Sequence, residues 1–322
     1  MTTENKHPET TSEAAAVQPD AMAQTAVPAG HRAGFVNIVG NPNVGKSTLM
    51  NRLVGERMSI ITPKAQTTRH RITGIVNTPE YQIVFSDTPG VLKPNYKLQE
   101  SMLSFAQGAL TDADVLLYVT DVVEDPTKNA DFLERVAKEK IPVLLVINKV
   151  DLLKNNTELY TIVDRWHQLL PNAEVFPISA LEDFNVAALM KRIVELLPPS
   201  PPYFGKDALT DKPARFFVTE IIREKILTNY SKEIPYSVEV LVEKFEESDR
   251  SIHIMAVIYV ERDSQKGILI GRGGSMLKKV GTEARKDIER FFDKSVYLEL
   301  HVKVEPNWRN RENKLKAFGY IE

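Results

Sequence analysis

The chain contains 322 residues, of which 43% are hydrophobic and 26% are charged, and its formal net charge is −2. This length and composition are typical of a globular protein with two separate cores. The absence of cysteine from the sequence excludes disulfides, thiolate metal ligands and cysteine nucleophiles. Because the net charge is slightly negative, any nucleic-acid site must be a local basic patch.

The N-terminal region has the composition of an unstructured segment. Residues 1–32 are rich in Thr, Ala, Glu and Pro and lack apolar periodicity, so we predict a disordered tail. This stretch also lacks the apolar core of a signal peptide. No later segment approaches the roughly 20 apolar residues that a membrane span requires. We therefore expect a cytoplasmic protein without a transmembrane segment.

Residues 33–198 alternate between short apolar runs and segments of helical length. The runs are "FVNIVG", "YQIVFSD", "DVLLYVT", "PVLLVIN" and "EVFPIS". Continuously apolar runs are typical of strands that are buried on both faces of a parallel sheet. The alternation predicts a doubly wound α/β domain with a mostly parallel sheet. Four prolines in "LLPPSPPYFG" end this pattern and predict a stiff linker over residues 199–212.

The first run leads directly into the stretch "GNPNVGKST", which matches the phosphate-binding pattern G-x-x-x-x-G-K-[ST]. In such a loop, backbone N–H groups and the following helix N-terminus converge on phosphates. Lys46 is expected to contact the β- and γ-phosphates, and the Ser47 hydroxyl to bind Mg²⁺. The predicted phosphate-binding residues are Gly40, Asn41, Pro42, Asn43, Val44, Gly45, Lys46, Ser47 and Thr48.

A second motif, "DTPG", closes the strand "YQIVFSD" and comprises Asp87, Thr88, Pro89 and Gly90. We expect the Asp87 carboxylate to hold Mg²⁺ through water, and the Gly90 N–H to approach the γ-phosphate. The next residue is Val91, where many signalling GTPases have a glutamine that orients water. Since valine cannot hydrogen-bond water, hydrolysis should be slow or organised by other groups.

A third motif, "NKVD", follows the strand "PVLLVIN" and comprises Asn148, Lys149, Val150 and Asp151. The Asp151 carboxylate can accept hydrogen bonds from two donors of guanine, and adenine offers no such pair. The Lys149 alkyl chain can cover one side of the base. In the stretch "ISA", Ser179 and Ala180 are further candidates, with a backbone N–H for the guanine oxygen. Four motifs in this order predict binding of GTP and GDP.

Residues 213–322 have a different pattern, which predicts a smaller α+β domain. A helix and two β-rich runs precede the strand-like run "GILI", the loop "GRGG", a basic helix and the strand "VYLELHVKV". The loop is not a dinucleotide fingerprint, because Met276 lies where that pattern requires its third glycine. A G-x-x-G loop instead clamps nucleic-acid backbone in KH modules, beside an apolar groove. The predicted groove includes the preceding "ILI", together with Met276 and Leu277.

The charge around this loop also favours RNA. The segment Arg262–Arg290 has eight basic and four acidic residues, an excess of four positive charges. The alternative is a turn followed by a solvated helix face. In "NWRNRENK", Trp308 either stacks on a base or belongs to a docked C-terminal tail, and we favour the tail. The predicted RNA-binding residues are Gly271, Arg272, Gly273, Gly274, Lys278 and Lys279.

From about Arg32 to the C-terminus, the chain resembles the Era family of bacterial GTPases. The resemblance includes the motifs above and the stretches "KAQTTRHRITGI", "LTDKPARFFVTEIIREKI", "EIPYSVEV" and "GTEARKDIE". It implies a P-loop GTPase domain followed by a type II KH domain, with GTP hydrolysis and binding near the 3′ end of 16S rRNA. It also implies a role in 30S subunit assembly and peripheral contact with the inner membrane. Asn41 departs from the family, which commonly has arginine there. We expect a monomer.

The segment between the first two motifs is predicted to be switch I, comprising Gln66, Thr67, Thr68, Arg69 and His70. A threonine hydroxyl there can complete the Mg²⁺ shell when the γ-phosphate is present. Thr67 and Thr68 are both candidates, and we favour Thr68 because related GTPases use the threonine directly before arginine. By the same resemblance, Asn43 suggests a potassium site. The alternative function is a passive RNA-binding adaptor whose GTPase domain binds nucleotide with little turnover.

Overall fold

The computed structural model describes residues 30–321, so most of the predicted tail lies outside the described residues. The strands are β1 (Arg32–Val39), β2 (Ile72–Asn77), β3 (Tyr81–Asp87), β4 (Val115–Asp121), β5 (Val143–Asn148), β6 (Glu174–Pro177), β7 (Glu239–Glu247), β8 (Ser251–Val260) and β9 (Ser295–Val304). The helices are α1 (Lys46–Val54), α2 (Lys97–Thr111), α3 (Ala130–Ala137), α4 (Asn156–Leu169), α5 (Val186–Leu196), α6 (Ala214–Asn229), α7 (Ile234–Ser237), α8 (Asp263–Ile270), α9 (Ser275–Phe292) and α10 (Glu312–Ala317). Within this range, no helix is long and apolar enough to cross a membrane.

The first six strands form one sheet in the order β2-β3-β1-β4-β5-β6. All neighbouring pairs are parallel except β2 and β3, which are antiparallel. The carboxyl ends of β1, β3 and β5 therefore meet at one edge of the sheet, where the phosphate and base motifs begin. This arrangement confirms the predicted doubly wound, mostly parallel α/β fold.

Helices cover both faces of this sheet, which explains why its strands are largely apolar without alternation. In β5, Leu144 and Val146 pack into the core beneath α1 and α5, while Leu145 and Ile147 pack into the opposite core with Trp166. Successive side chains of a strand point to opposite faces, so a strand covered on both sides needs apolar residues throughout. The packing thus accounts for the runs seen in the sequence.

The segment after the first domain, residues 199–212, packs against the β2–β3 side of the sheet. The backbone N–H groups of Tyr203 and Phe204 donate to Gln82 Oε1 at 2.7 and 3.0 Å. Further along, Ile75 N donates to the Leu209 carbonyl at 2.8 Å. The segment therefore binds along β2, the strand at the edge of the sheet.

The remaining strands form a second sheet in the order β7-β8-β9. β7 and β8 are antiparallel, whereas β8 and β9 are parallel. Helices α6 and α9 pack on this sheet through a core of their own, which includes Ile222 and Ile288. This smaller α+β unit confirms the second part of the predicted fold class.

One element differs from the sequence prediction. The run "GILI" is not strand-like, because it forms the last turn of α8. Gln265 Oε1 accepts the backbone N–H groups of Glu261 and Arg262 at 2.9 and 3.1 Å, which caps the start of this helix. Leu269 then lies fully buried in the core, whereas Ile268 is 51% exposed. Capping and burial of one side chain outweigh the β propensity of a run only four residues long.

The C-terminal segment docks on the first domain. Trp308 is fully buried in a cluster with Leu98 and Met102 of α2. Its indole N–H donates to the Ser237 carbonyl at 3.0 Å. Since the ring has no exposed face, Trp308 cannot stack on a base in this arrangement, which agrees with the favoured docked tail.

Candidate functional site

The glycine loop between β1 and α1 lies against the motif that follows β5. Gly45 has a φ of 96°, and a Cβ added there would lie 2.2 Å from Asn148 Nδ2. That nitrogen donates to the Val44 carbonyl at 2.9 Å. Only glycine fits this position, because both the backbone conformation and the close contact exclude a side chain. The glycine loop "GNPNVGKST" (the phosphate motif) is therefore hydrogen-bonded directly to "NKVD" (the base motif).

Lys46 lies beneath this loop and is only 6% exposed. Its ammonium group donates to the carbonyls of Gly40 and Asn41 at 3.0 and 2.8 Å. Burial lowers the pKa of Lys46 to about 8, although the carboxylates of Asp87 and Glu124 act in the opposite direction. A nearby anion such as phosphate would favour the charged form of this lysine.

Three oxygen-bearing side chains converge beside Lys46. Ser47 Oγ donates to Asp87 Oδ2 at 2.7 Å and lies 2.9 Å from Thr68 Oγ1. Burial raises the pKa of Asp87, while Lys46 and the hydrogen bond from Ser47 lower it. Asp87 Oδ1 is buried and has no hydrogen-bond partner among the described residues. The site therefore contains a carboxylate oxygen that is available to a ligand, beside two hydroxyl groups.

This set of oxygen atoms fits Mg²⁺, which prefers hard oxygen ligands. The protein usually supplies only one or two of those ligands directly. Between residues 30 and 321, no three His, Cys, Asp or Glu side chains group into a metal site. A magnesium ion here would consequently depend on Ser47, Thr68, water held by Asp87, and oxygens of the nucleotide.

The structure separates the two switch threonines. Thr68 lies at the site, as described above, whereas Thr67 Oγ1 donates to the Lys64 carbonyl at 2.6 Å and lies 2.7 Å from Thr62 Oγ1. The Thr67 hydroxyl thus stabilises a turn within the loop. Of the two candidates, Thr68 has the position suited to a metal ligand.

The residues after Thr68 face the second domain and not the nucleotide site. Arg69 is fully buried and donates to the carbonyls of Val238 and Pro235 at 2.7 and 3.1 Å. His70 stacks on Tyr320, with 4.2 Å between the ring centroids, and burial lowers the pKa of His70 to about 4. Arg69 and His70 therefore belong to the domain interface.

The segment after Asp87 is fastened to the phosphate loop. Thr88 Oγ1 donates to the Ile38 carbonyl at 2.8 Å, and Val91 N donates to the Gly40 carbonyl at 3.1 Å. Asn129 was missed by the sequence analysis. Its Nδ2 donates to the Val91 carbonyl at 2.9 Å and to Asn41 Oδ1 at 2.7 Å. No local pattern distinguishes Asn129 from an ordinary residue before a helix.

The base motif forms a turn after β5 in which Lys149 has a φ of 63°. Its ammonium group donates to the Asn43 carbonyl at 2.7 Å and pairs with Asp121, which the sequence analysis also missed. Asp151 is exposed, so its carboxylate is accessible to a ligand. The Ala180 N–H, predicted to face guanine, donates to Asn148 Oδ1 at 3.0 Å in this structure.

These motifs surround a cleft of about 280 Å³. Of the predicted residues, it brings together Pro42, Asn43, Gly45, Lys46, Ser47, Thr48, Gln66, Thr67, Thr68, Gly90 and Lys149. The Val150 N–H donates to the Ile178 carbonyl, and the backbones of Ser179 and Phe184 donate to each other. Val150 and Ser179 therefore shape the turns behind the base motif. Pro89 is buried beside the cleft.

The second glycine loop, Gly271–Gly274, joins α8 to α9 and lies in the open. Arg272, Gly273, Lys278 and Lys279 are all exposed. Gly273 has a φ of 59°, and a Cβ added there would meet no atom within 4 Å. Met276 and Leu277 are half-buried beside the loop, as the predicted groove requires, but Leu269 is buried in the core and cannot line it.

Comparison with known proteins agrees with this architecture. A family described as "50S ribosome-binding GTPase" matches residues 35–149, and one described as "KH domain" matches residues 233–309. A crystal structure of an Aquifex aeolicus Era variant bound to GDP·AlF4⁻ is 40% identical and has a TM-score of 0.86. The match covers 90% of this chain and 100% of that chain.

A second similar structure is Era in complex with MgGDPNP and nucleotides 1506–1542 of 16S ribosomal RNA. It is 40% identical with a TM-score of 0.87, and the match covers 91% of this chain and 100% of that chain. Fold and site thus define a P-loop GTPase joined to a KH domain. The chain belongs to the Era family and is a GTP hydrolase.

Proposed function

We propose that this protein binds and hydrolyses GTP, binds 16S rRNA near its 3′ end and acts in assembly of the 30S subunit. The observation that carries this proposal is the presence of two glycine loops with different surroundings in one chain. One is enclosed with Lys46, Ser47 and Asp87, and the other is exposed beside Lys278 and Lys279. The first suits a mononucleotide and the second suits a strand.

At the enclosed loop we assign roles to individual residues. Lys46 binds the β- and γ-phosphates, Ser47 and Thr68 hold Mg²⁺ directly, and Asp87 holds it through water. When bound, the metal would supply positive charge that offsets the negative charge of the phosphates. Asp151 selects guanine, and Lys149 keeps the base turn against the phosphate loop through the Asn43 carbonyl.

At the exposed loop, backbone N–H groups and Arg272 contact the sugar–phosphate chain, and Lys278 and Lys279 add electrostatic attraction. The matching GTPase family is named for the 50S subunit, whereas 16S rRNA, present in the similar Era complex, belongs to the small subunit. We propose the small subunit. Cosedimentation with 50S but not 30S particles would contradict this choice.

The test is GTP turnover with and without an oligonucleotide of the 16S rRNA 3′ end, for the wild type and Gly273→Asp. We expect slow turnover alone, faster turnover with RNA, and no RNA response in the variant. Negligible turnover in every condition would refute the enzymatic part. RNA binding that survives Gly273→Asp unchanged would refute the assignment of the exposed loop.

Val91 favours one alternative function, a passive RNA-binding adaptor with little turnover. The Val91 side chain offers no hydrogen bond to water, and its backbone is held by Gly40 and Asn129. If RNA and GTP bind normally but phosphate release stays at background, this alternative is correct.

Three finer assignments accompany the main proposal. We propose potassium stimulation through Asn43, whose left-handed backbone (φ 67°) shapes the phosphate loop; equal turnover in sodium and potassium buffers would contradict it. We also propose a cytoplasmic monomer with peripheral contact to the inner membrane. Light scattering tests the monomer, and flotation with anionic vesicles tests the membrane contact.

A further inference from the structure

The predicted switch I loop is held from the second domain by a buried arginine. Arg223 lies on α6 and is only 1% exposed. Its guanidinium group donates to the Gln66 carbonyl at 3.5 Å and, more closely, to the Thr67 carbonyl. These two carbonyls directly precede Thr68, the residue placed at the magnesium site.

A carboxylate one turn away fixes the orientation of this arginine. Arg223 Nε donates to Glu220 Oε1 at 2.9 Å, and a terminal nitrogen donates to Oε2 at 2.7 Å. Both side chains are buried. A two-point pair of this kind fixes the plane of the guanidinium group, so its remaining N–H groups point in defined directions. Here they point at the loop.

Two other contacts bracket the same loop. Lys64 donates to the carbonyls of Leu227 and Tyr230 at the C-terminal end of α6, where the helix dipole favours a positive charge. On the far side, Arg69 pairs with Glu239 at 3.2 Å. These contacts fasten the ends of the loop, whereas Arg223 holds the two peptide groups next to Thr68.

We propose that Arg223 is a positioning residue for the nucleotide site. By holding the Gln66 and Thr67 carbonyls, it keeps the Thr68 hydroxyl 2.9 Å from Ser47 Oγ. This inference rests on the proposed role of Thr68 as a magnesium ligand in the presence of the γ-phosphate. Its consequence is that the RNA-binding domain contributes a residue to the affinity of the GTPase domain for magnesium and triphosphate.

The effect on nucleotide binding should be selective. Without Arg223, two carbonyls lose a charge-assisted hydrogen bond and the loop gains conformations in which Thr68 points elsewhere. Binding of a non-hydrolysable triphosphate analogue with Mg²⁺ uses Thr68 and should weaken. Binding of GDP uses Lys46, Ser47 and Asp151 and should change little.

Two variants and one control test this inference. Arg223→Lys keeps the positive charge but loses the planar guanidinium group that donates to several acceptors at once. Arg223→Met combined with Glu220→Gln removes the ion pair without leaving an unpaired buried charge. The control is Lys225→Met on the same helix, which removes ion pairs with Glu224 and with Asp287 of α9 without touching the loop. Thermal unfolding identifies any variant that does not fold. If Arg223→Lys does not fold, the double variant provides the test.

The measurement is the dissociation constant of fluorescent GDP and GDPNP over a titration of Mg²⁺. We expect the GDPNP affinity at saturating Mg²⁺ to fall about tenfold in both variants. GDP affinity should change less than about twofold, and the control should behave as wild type. Hydrogen exchange of residues 62–70 should also become faster in both variants and not in the control.

Each contrary result has a distinct meaning. An unchanged ratio of GDPNP to GDP affinity in the folded double variant would overturn the role of Arg223. An equal loss in Lys225→Met would also overturn it, because the effect would then belong to the domain interface in general. If wild-type protein itself shows no magnesium-dependent preference for GDPNP, the proposed role of Thr68 fails instead.

Discussion

The two glycine loops of this chain lie in opposite surroundings. In Gly40–Ser47, Gly45 fits against Asn148 and Lys46 is buried under the backbone that it holds. In Gly271–Gly274, Gly273 has open space around it and the nearby lysines are exposed. A mononucleotide can be enclosed, so buried groups such as Lys46 and Asp87 can face its phosphates and metal. A strand must enter and leave, so its site depends on accessible backbone and long basic side chains.

The largest predicted effect separates the enclosed site from an unselective phosphate site. Asp151→Asn removes the acceptors for two guanine donors, so we expect GTP affinity to fall by about a hundredfold or more. Xanthosine triphosphate, which carries an oxygen in place of the amino group, should bind better than GTP. Competition against fluorescent GDP measures both. The matched control is Asp183→Asn in the adjacent turn, and equal losses in the two variants would show that Asp151 does not read the base.

The next prediction tests the open loop alone. Gly273→Asp places a negative charge where the RNA backbone should pass, so oligonucleotide affinity should fall about tenfold or more, measured by fluorescence anisotropy. Folding should be preserved, because aspartate tolerates this backbone conformation and its side chain meets no atom. Gly273→Asn is the control for shape without charge and should lose less. A matching loss of GDP affinity would show that the two loops are not separate sites.

A smaller effect is expected from the lysines beside the open loop. Changing Lys278 and Lys279 to glutamine should lower oligonucleotide affinity a few-fold and reduce the slope of log K against log salt by about 1. The same charge removed at Lys138 and Lys140 of the first domain should leave the slope unchanged. If both pairs of substitutions change the salt slope equally, the attraction comes from the charge of the whole protein and not from this loop.

The smallest prediction concerns the support beneath the open loop. Tyr230 Oη donates to the Leu269 carbonyl at 2.6 Å, just before the glycines. Tyr230→Phe should lower the free energy of unfolding by about 1 kcal/mol, measured by urea unfolding, and Tyr203→Phe at an exposed position should not.

This tyrosine also predicts a pH effect. Burial raises the pKa of Tyr230 to about 12, above its ordinary value of 10.0. Between these two values the unfolded chain loses the proton first, so the wild type should lose stability as pH rises from about 10 to 12. The difference between wild type and Tyr230→Phe should therefore shrink over that range. A constant difference would mean that this hydroxyl is not protected by folding.

The sequence predicted the first domain well because its motifs are local. A glycine loop between a strand and a helix, or an aspartate at a strand end, can be read from a few adjacent residues. The strand-like prediction for the run "GILI" is wrong, because four apolar residues do not distinguish a buried strand from the last turn of a helix. Contacts across the domains could not be predicted, because Arg223 and Gln66 are 157 residues apart. Nothing near Arg223 in the sequence marks it as buried.

The segment that crosses β2 has a consequence for aggregation. An uncovered edge strand offers unpaired N–H and C=O groups to any other extended chain. Here Leu209 accepts from Ile75, and Thr210 Oγ1 donates to the Thr73 carbonyl at 2.6 Å, so these residues occupy part of that edge. A chain cut after Pro198 would keep every nucleotide motif and still expose β2 as a template for strand addition. Residues outside the predicted bounds of the first domain therefore cover part of its β2 edge.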